Sequence, residues 1–285
     1  MLFEKSVAIV GCGWLGQALA KALLAEHYHV VGTCQSQETN SILTEIGVTA
    51  ELLTLPLKGT KNSNNCQYQL VNCRTLVICI TPQLRYGKSD YVEKITQLVE
   101  LAQHGKVAQI ILINSTAIYG GLQGLVTENS TLDVSAPKVN TLQQAEAVVL
   151  GSGLAAVSLR VAGLVGPNRL PGNFFKPGRV LTEPNAPVNL VHQQDVVQCI
   201  KAIINKPQTT GIFNVSSNTE IPKQLFYQQA ALALGNAVPE FEHDKNSHLG
   251  KHIVSNKIRQ ALAISFQYDD LLHWLGKNKS YTDWY

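Results

Sequence analysis

The sequence predicts an α/β fold, a doubly wound parallel sheet with a smaller C-terminal lobe, on three observations. Short apolar runs of strand length alternate with segments whose apolar residues recur at helical spacing. The first such run passes directly into a glycine-rich turn and then a helix. The run at 74–80 (RTLVICI) is apolar almost throughout, as expected of a strand whose sheet is covered by helices on both faces.

The first of these elements organises the rest. Residues 7–10 form the strand, Gly11-Cys12-Gly13-Trp14-Leu15-Gly16 the turn, and Leu15, Leu19, Ala22 and Leu23 recur at helical spacing. Gly11 permits the tight turn, Gly13 lets a phosphate approach the main chain, and Gly16 lets the helix pack closely on the strand. The helix N-terminus then turns its N–H groups, those of Trp14 and Leu15 among them, toward a pyrophosphate. A G-x-G-x-x-G string with the required strand before it and helix after it points to a Rossmann-type dinucleotide site; the competing reading is a glycine turn that only packs.

The second strand, at 29–33, ends in Cys34-Gln35-Ser36-Gln37. An NAD-selective site usually places an acid near here to hold the ribose hydroxyls. No acid stands at 34–37, and Gln35 and Ser36 could hydrogen-bond a 2′-phosphate, so the pattern leans to NADP(H); without a cation, NAD(H) stays open. Gln35 and Ser36 could equally be plain turn residues. A third strand is expected at 48–55, then an exposed loop at 58–65. The 74–80 strand stops at Thr81-Pro82, and strand carboxyl ends line the ligand crevice, which makes Ile80, Thr81 and Pro82 candidates for cofactor contact. A helix at 91–101 and a strand at 109–114 lead into Ser115-Thr116-Ala117-Ile118-Tyr119-Gly120.

Composition narrows the partners. The net charge is +3, charged residues make up 15% of the chain and no basic run occurs, which disfavours nucleic acid and membrane surfaces. No apolar run approaches the ~18 residues of a spanning helix, and the first strand begins too early to leave room for a signal peptide, so a cytoplasmic protein is expected. The six cysteines show no C-x-x-C pair and mostly sit in apolar runs, which reads as small, reduced, buried residues rather than a metal site or disulfide framework.

The glycine turn, the strand ending in S-T-x-x-Y-G, VSLRVAGLVGPN at 157–168, PVNLVHQQDVV at 187–197 and the segments at 211–235 and 251–262 together resemble the extended short-chain dehydrogenase/reductase superfamily. The spelling is closest to its atypical branch of NAD(P)-dependent epimerase-like proteins, and the resemblance spans nearly the whole chain. It implies a cofactor domain over 1–165 and a substrate lobe over 166–285, interleaved with the last strands and helices, in a monomer or homodimer.

The resemblance also implies a catalytic Tyr-x-x-x-Lys, and here the chain departs from it: no Tyr occurs between Tyr119 and Tyr227. Anchored on Glu146, the Tyr slot holds Lys138 and the Lys slot Leu142, although a helix at 141–150 is well supported. Either a different acid/base serves, with Ser115 orienting a substrate carbonyl and Tyr119 or Lys138 moving the proton, or the chain binds cofactor without chemistry, as a regulator or redox sensor. Tyr119 can also be a structural residue, with its ring packed and its hydroxyl satisfied. A scaffold with the crevice blocked by Trp14 or Leu15 is a third class.

The Pro- and Gly-rich stretch at 166–187 is long for a plain connection, and the resemblance makes it a substrate-covering region. Arg169, Phe174, Lys176 and Arg179 suit an anionic, partly apolar ligand such as a phosphate ester or nucleotide-linked compound, or else are ordinary solvated charge over an apolar patch. Arg160 lies inside an apolar strand at 156–164 and needs a partner or an exit. Asp195 is explained by capping and the helix dipole, His192 by a structural role, and His243, His248 and His252 by surface placement. Further helices are expected at 194–204, 223–234, 255–262 and 269–275.

Overall fold

The computed structural model describes residues 5–57, 68–176, 178–242 and 250–277. The loop expected at 58–65, Cys66, His243, His248 and the tail from 278 lie outside the described residues.

The chain begins with strand β1 (Ser6–Val10), helix α1 (Trp14–Ala25), β2 (His29–Cys34), α2 (Gln37–Glu45) and β3 (Thr49–Leu52). It continues through β4 (Thr75–Ile78), α3 (Tyr91–His104), β5 (Gln109–Ser115), β6 (Gly124–Val126), α4 (Pro137–Leu150), β7 (Ala155–Val161) and β8 (Gly163–Val165). The remaining elements are β9 (Leu190–His192), α5 (Gln193–Ile204), β10 (Gly211–Val215), α6 (Lys223–Ala233), β11 (Lys251–Ile253), α7 (Asn256–Leu262) and α8 (Leu271–Lys277).

Seven strands form the main sheet in the order β10-β7-β5-β4-β1-β2-β3. Val7 pairs with Val30 of β2 on one side and Thr75 of β4 on the other, both in parallel. The chain therefore leaves β1 in one direction through β2 and β3, then returns to build the other half from β4. This reversal beside β1 is the topological switch point at which open α/β sheets bind ligands. All five residues of β1 are buried, as are Leu15, Leu19 and Leu23 on one face of α1. Each such aliphatic side chain withdrawn from water contributes about 1.5–3 kcal/mol.

The described residues divide into two compact units, one within Met1–Ile118, Val134–Arg160 and Val197–Phe213, the other within Tyr119–Asp133, Val161–Val196 and Asn214–Tyr285. The second unit holds two small parallel pairs, β6 with β11 and β8 with β9, and a core that includes Val165, Val188, Phe226, Leu271 and Trp274.

Several element bounds differ from the sequence expectation for local reasons. The strand expected at 156–164 breaks at Ala162, whose N–H bonds to Val215 O (2.9 Å) while Gly163 turns to Asn189 O (3.1 Å). Helix α4 starts at Pro137, ahead of its apolar periodicity, because proline's fixed φ suits the first helical turn. Helix α2 has a mean hydropathy too low to announce itself; Ser36 starts it by accepting a hydrogen bond from Thr39 N–H (3.2 Å).

Candidate functional site

At the carboxyl end of β1 the backbone turns at Gly11, whose φ of +93° favours glycine. A Cβ there would also lie 3.0 Å from Ile80 Cγ2 and 3.2 Å from Ile80 N. The turn is held to β2 by Gly11 N–H to Thr33 Oγ1 (3.2 Å) and Cys12 N–H to Thr33 O (2.9 Å). Gly16 seats α1 on the turn, since a Cβ would stand 2.7 Å from Gly11 O. Gly13 differs from both. It is exposed, and no atom lies within 4 Å of where its Cβ would be.

Helix α1 starts at that open point with no side-chain cap and no acid in its first turn. Backbone donors at a helix start with open space before them suit an anionic diphosphate, so the residues present fit a dinucleotide. Leu15 is buried and Trp14 half-buried. Around the turn Cys12 is 2% exposed, and burial pushes its thiol up to about 12; Cys79 shifts up for the same reason. These thiols pack rather than react. The five cysteines of the described residues are all free.

Past β2, Gln35 and Ser36 are exposed. The Ser36 hydroxyl is engaged in the α2 cap, accepting from Thr39 N–H and bonding Thr39 Oγ1 at 2.9 Å. Past β4, Ile80 and Pro82 are half-buried and Thr81 is exposed.

At the end of β5, the Ser115 N–H donates to Asn114 Oδ1 (2.9 Å), and Ser115 Oγ accepts from Ala117 N–H (3.1 Å). Asn114 is held in turn, its Nδ2 donating to Leu142 O (3.3 Å) and Glu146 Oε2 (3.4 Å). Glu146 is the partner that Arg160 required. The guanidinium binds the carboxylate bidentately, Nη2 to Oε1 at 2.5 Å and Nε to Oε2 at 3.0 Å, and Ser158 Oγ donates to Oε2 at 2.7 Å. Both charged residues are 3% exposed. Spacing along the sequence carried no sign of Asn114, whose role depends on where α4 docks. Lys138 stands on the first turn of α4 and is exposed.

In the second unit Tyr119 is fully buried and its hydroxyl donates to Asn214 Oδ1 (2.7 Å). Asn214 is itself fixed, donating its N–H to Glu128 Oε1 (2.7 Å) and Nδ2 to Val254 O (3.1 Å). Arg169 is exposed and donates Nε to Leu164 O (2.9 Å). Phe174 packs against the core around Val165, whereas Phe175 and Lys176 face a cavity and the Arg179 guanidinium lies 5.9 Å from the Phe175 ring centroid.

His192 is buried between Tyr268 (3.8 Å between ring centroids) and Trp274 (5.1 Å); burial lowers its pKa to about 4, and its Nε2 has no hydrogen-bond partner. Asp195 lies in the first turn of α5, but its carboxylate accepts from Gln267 N–H (2.7 Å) and Tyr268 N–H (3.1 Å), a long-range cap in place of the local one expected. Burial raises Asp195 to about 6 against the pull of those two bonds. His252 is half-buried, 3.8 Å from Glu220. Among the described residues no group of three or more His, Cys, Asp or Glu could hold a metal ion, and no helix is long and apolar enough to cross a membrane.

Comparison with known proteins places this geometry. No protein-family model matches the chain. Protein YeeZ of Escherichia coli K12 is 33% identical over 271 residues, covering 94% of this chain and 98% of its own length. The chain belongs to the YeeZ family.

Solved structures carry the fold further than the YeeZ family itself. A functionally unknown conserved protein from Silicibacter pomeroyi matches at a TM-score of 0.75 and 19% identity, over 98% of this chain and 99% of that one. UDP-glucuronic acid 4-epimerase from Bacillus cereus, solved with UDP-glucuronic acid and NAD, matches at 0.76 and 17%, over 97% and 98%. MoeE5, solved with UDP-glucose and NAD, matches at 0.74 and 17%, also over 97% and 98%. The YeeZ-family chain thus has the fold of the extended short-chain dehydrogenases/reductases.

Proposed function

We propose that the protein is an NAD(P)(H)-dependent oxidoreductase or epimerase-like enzyme acting on a small anionic or nucleotide-linked metabolite. The observation that carries this reading is the open space over Gly13 in front of a helix start that no side chain caps, at the switch point of the sheet. Gly11, Gly13, Gly16 and the N–H groups opening α1 would hold the diphosphate, with Ile80, Thr81 and Pro82 along the ribose. When bound, the nicotinamide would supply or accept hydride. Ser115, whose oxygen already accepts from Ala117 N–H, keeps its own O–H to donate to a substrate oxygen.

Tyr119 serves in this reading as an anchor, since its hydroxyl is committed to Asn214. Lys138, exposed on the first turn of α4, remains the side chain to test for proton movement. The NAD carried by the Bacillus cereus epimerase and by MoeE5 supports the cofactor class, and their acidic or diphosphate-bearing ligands support an anionic substrate. NAD(H) is favoured over NADP(H), because the Ser36 hydroxyl is spent on a helix cap and no cation stands at 34–37. The missing acid there keeps NADP(H) as the competitor.

A second reading, a dinucleotide-binding regulator without chemistry, draws on the commitment of Tyr119 and the exposure of Lys138. Calorimetric titration with NADH, NADPH and their oxidised forms tests both readings: binding of at least one form is expected, and binding of none removes both. A carbonyl-substrate screen followed by nicotinamide absorbance, in wild type and Lys138→Ala, then separates enzyme from regulator.

A further inference from the structure

The second unit contains a cavity of about 320 Å³ between the turn at Pro171–Asn173, the residues that follow it, the later part of α6 and the segment 236–239. Its floor is preformed. A Cβ on Gly172 would lie 2.2 Å from Ala230 O, so the turn rests directly on α6, and Asn236 Nδ2 pins it by donating to Gly172 O (3.0 Å) and Asn173 Oδ1 (2.9 Å). Those bonds leave Asn236 Oδ1 as an acceptor and Asn173 Nδ2 as a donor at the cavity.

Its wall is aromatic. Phe175 and Tyr227 meet edge to face, with ring centroids 4.8 Å apart at 87°, and Phe226 backs Tyr227 at 5.4 Å. Val238 adds an aliphatic side chain that stays 41% exposed. Such rings accept another ring in offset or edge-on contact. Among the described lining residues the charge is of one sign: Lys176 lines the cavity, no described carboxylate does, and Arg179 adds a second cation beside Phe175. The volume stands near the lower end of the ~300–1,000 Å³ of small-molecule sites, enough for a ring and one acidic group.

We infer that this cavity binds a small ligand consisting of one planar ring bearing a single anionic group, a carboxylate or a phosphate. The ring packs against Phe175 and Tyr227, the anion meets Lys176, and the two asparagine amides read polar atoms on the ring edge. The assignment goes beyond the function proposed above and stands on the geometry of the second unit alone.

The test is calorimetry on the full chain with benzoate and phenyl phosphate as probes. Benzamidine serves as the cationic control, cyclohexanecarboxylate as the non-planar one and inorganic phosphate as the ringless one, with NADH titrated in a separate arm. Saturable binding of at least one aryl anion is expected, tighter than all three controls; the preferred probe distinguishes carboxylate from phosphate. Lys176→Met and Val238→Glu change exposed side chains, and each should weaken that binding about 10-fold or more through loss of a charge-assisted contact or gain of a repulsive one. Three results overturn the assignment: no saturable aryl-anion binding below about 10 mM, benzamidine binding as tightly as benzoate, or both variants within about 2-fold of wild type. NADH binding without aryl-anion binding removes this assignment and leaves the cofactor reading standing. Aryl-anion binding without NADH does the reverse.

Discussion

Two buried polar sites, Glu146–Arg160 in the first unit and His192 in the second, are handled in opposite ways. In the first unit, Glu146 and Arg160 meet as a buried ion pair, with two guanidinium bonds, a serine hydroxyl and an asparagine amide around one carboxylate. In the second unit, His192 sits between aromatic rings with one ring nitrogen unpartnered, and burial drives it to the neutral form. A charge survives burial where several donors converge on it, and is given up where they do not.

The sharpest way to break the contrast is Glu146→Leu, which takes the bidentate carboxylate away from the buried Arg160. It should cost about 3–5 kcal/mol by denaturant unfolding, and adding Arg160→Met should recover most of that loss. A double variant no more stable than the single one would show that the pair's geometry, rather than its charge balance, is what the core needs.

The second unit predicts a pH signature. His192 has its folded pKa lowered to about 4 from 6.5, so the unfolded chain takes up a proton first as pH falls. Its contribution is fully present above pH 6.5 and is lost toward pH 4, by about 3 kcal/mol. Asp195 has its folded pKa raised to about 6 from 3.8, so the folded chain takes up a proton first and gains stability over an overlapping window. Its gain, of about 3 kcal/mol, offsets much of the histidine's loss. Denaturant titrations between pH 7 and 4 should therefore fall more steeply for Asp195→Asn than for wild type, and less steeply for His192→Leu. Parallel slopes in all three would remove the assignment.

A smaller effect separates groups used by the fold from those left for a ligand. Gly13→Ala enters open space at a negative φ and should leave the melting temperature nearly unchanged while weakening dinucleotide binding about 10-fold. Equal losses of stability and binding would mean that Gly13, like Gly16, is kept for packing. The smallest effect is expected at Ser36. Its replacement by Ala should cost about 1 kcal/mol of stability as a lost cap, with the NADH to NADPH affinity ratio unaltered.

The glycine turn was legible in the sequence because its physics is local: six consecutive residues decide whether a backbone can turn and leave a helix start open, and in this structure Gly11 makes the turn, Gly16 packs the helix on it and Gly13 faces open space. The doubly wound fold class was legible for a related reason, since a continuous apolar run such as 74–80 suits a sheet covered on both faces; the strand order came from the structure. Helix α2 was not, because it begins at a serine cap and its polar residues leave no strong apolar stripe.

The sequence by itself determined that Arg160 needs a partner, that no Tyr-x-x-x-Lys exists, and that Ser115 ends a strand. Only the tertiary structure decided that the partner is Glu146, that Tyr119 spends its hydroxyl on Asn214, and that Lys138 faces solvent. Those outcomes depend on the docking of α4 and β7 and on contacts between residues far apart in the chain. Residue order carries what a backbone does locally; which buried charge meets which donor is set by packing.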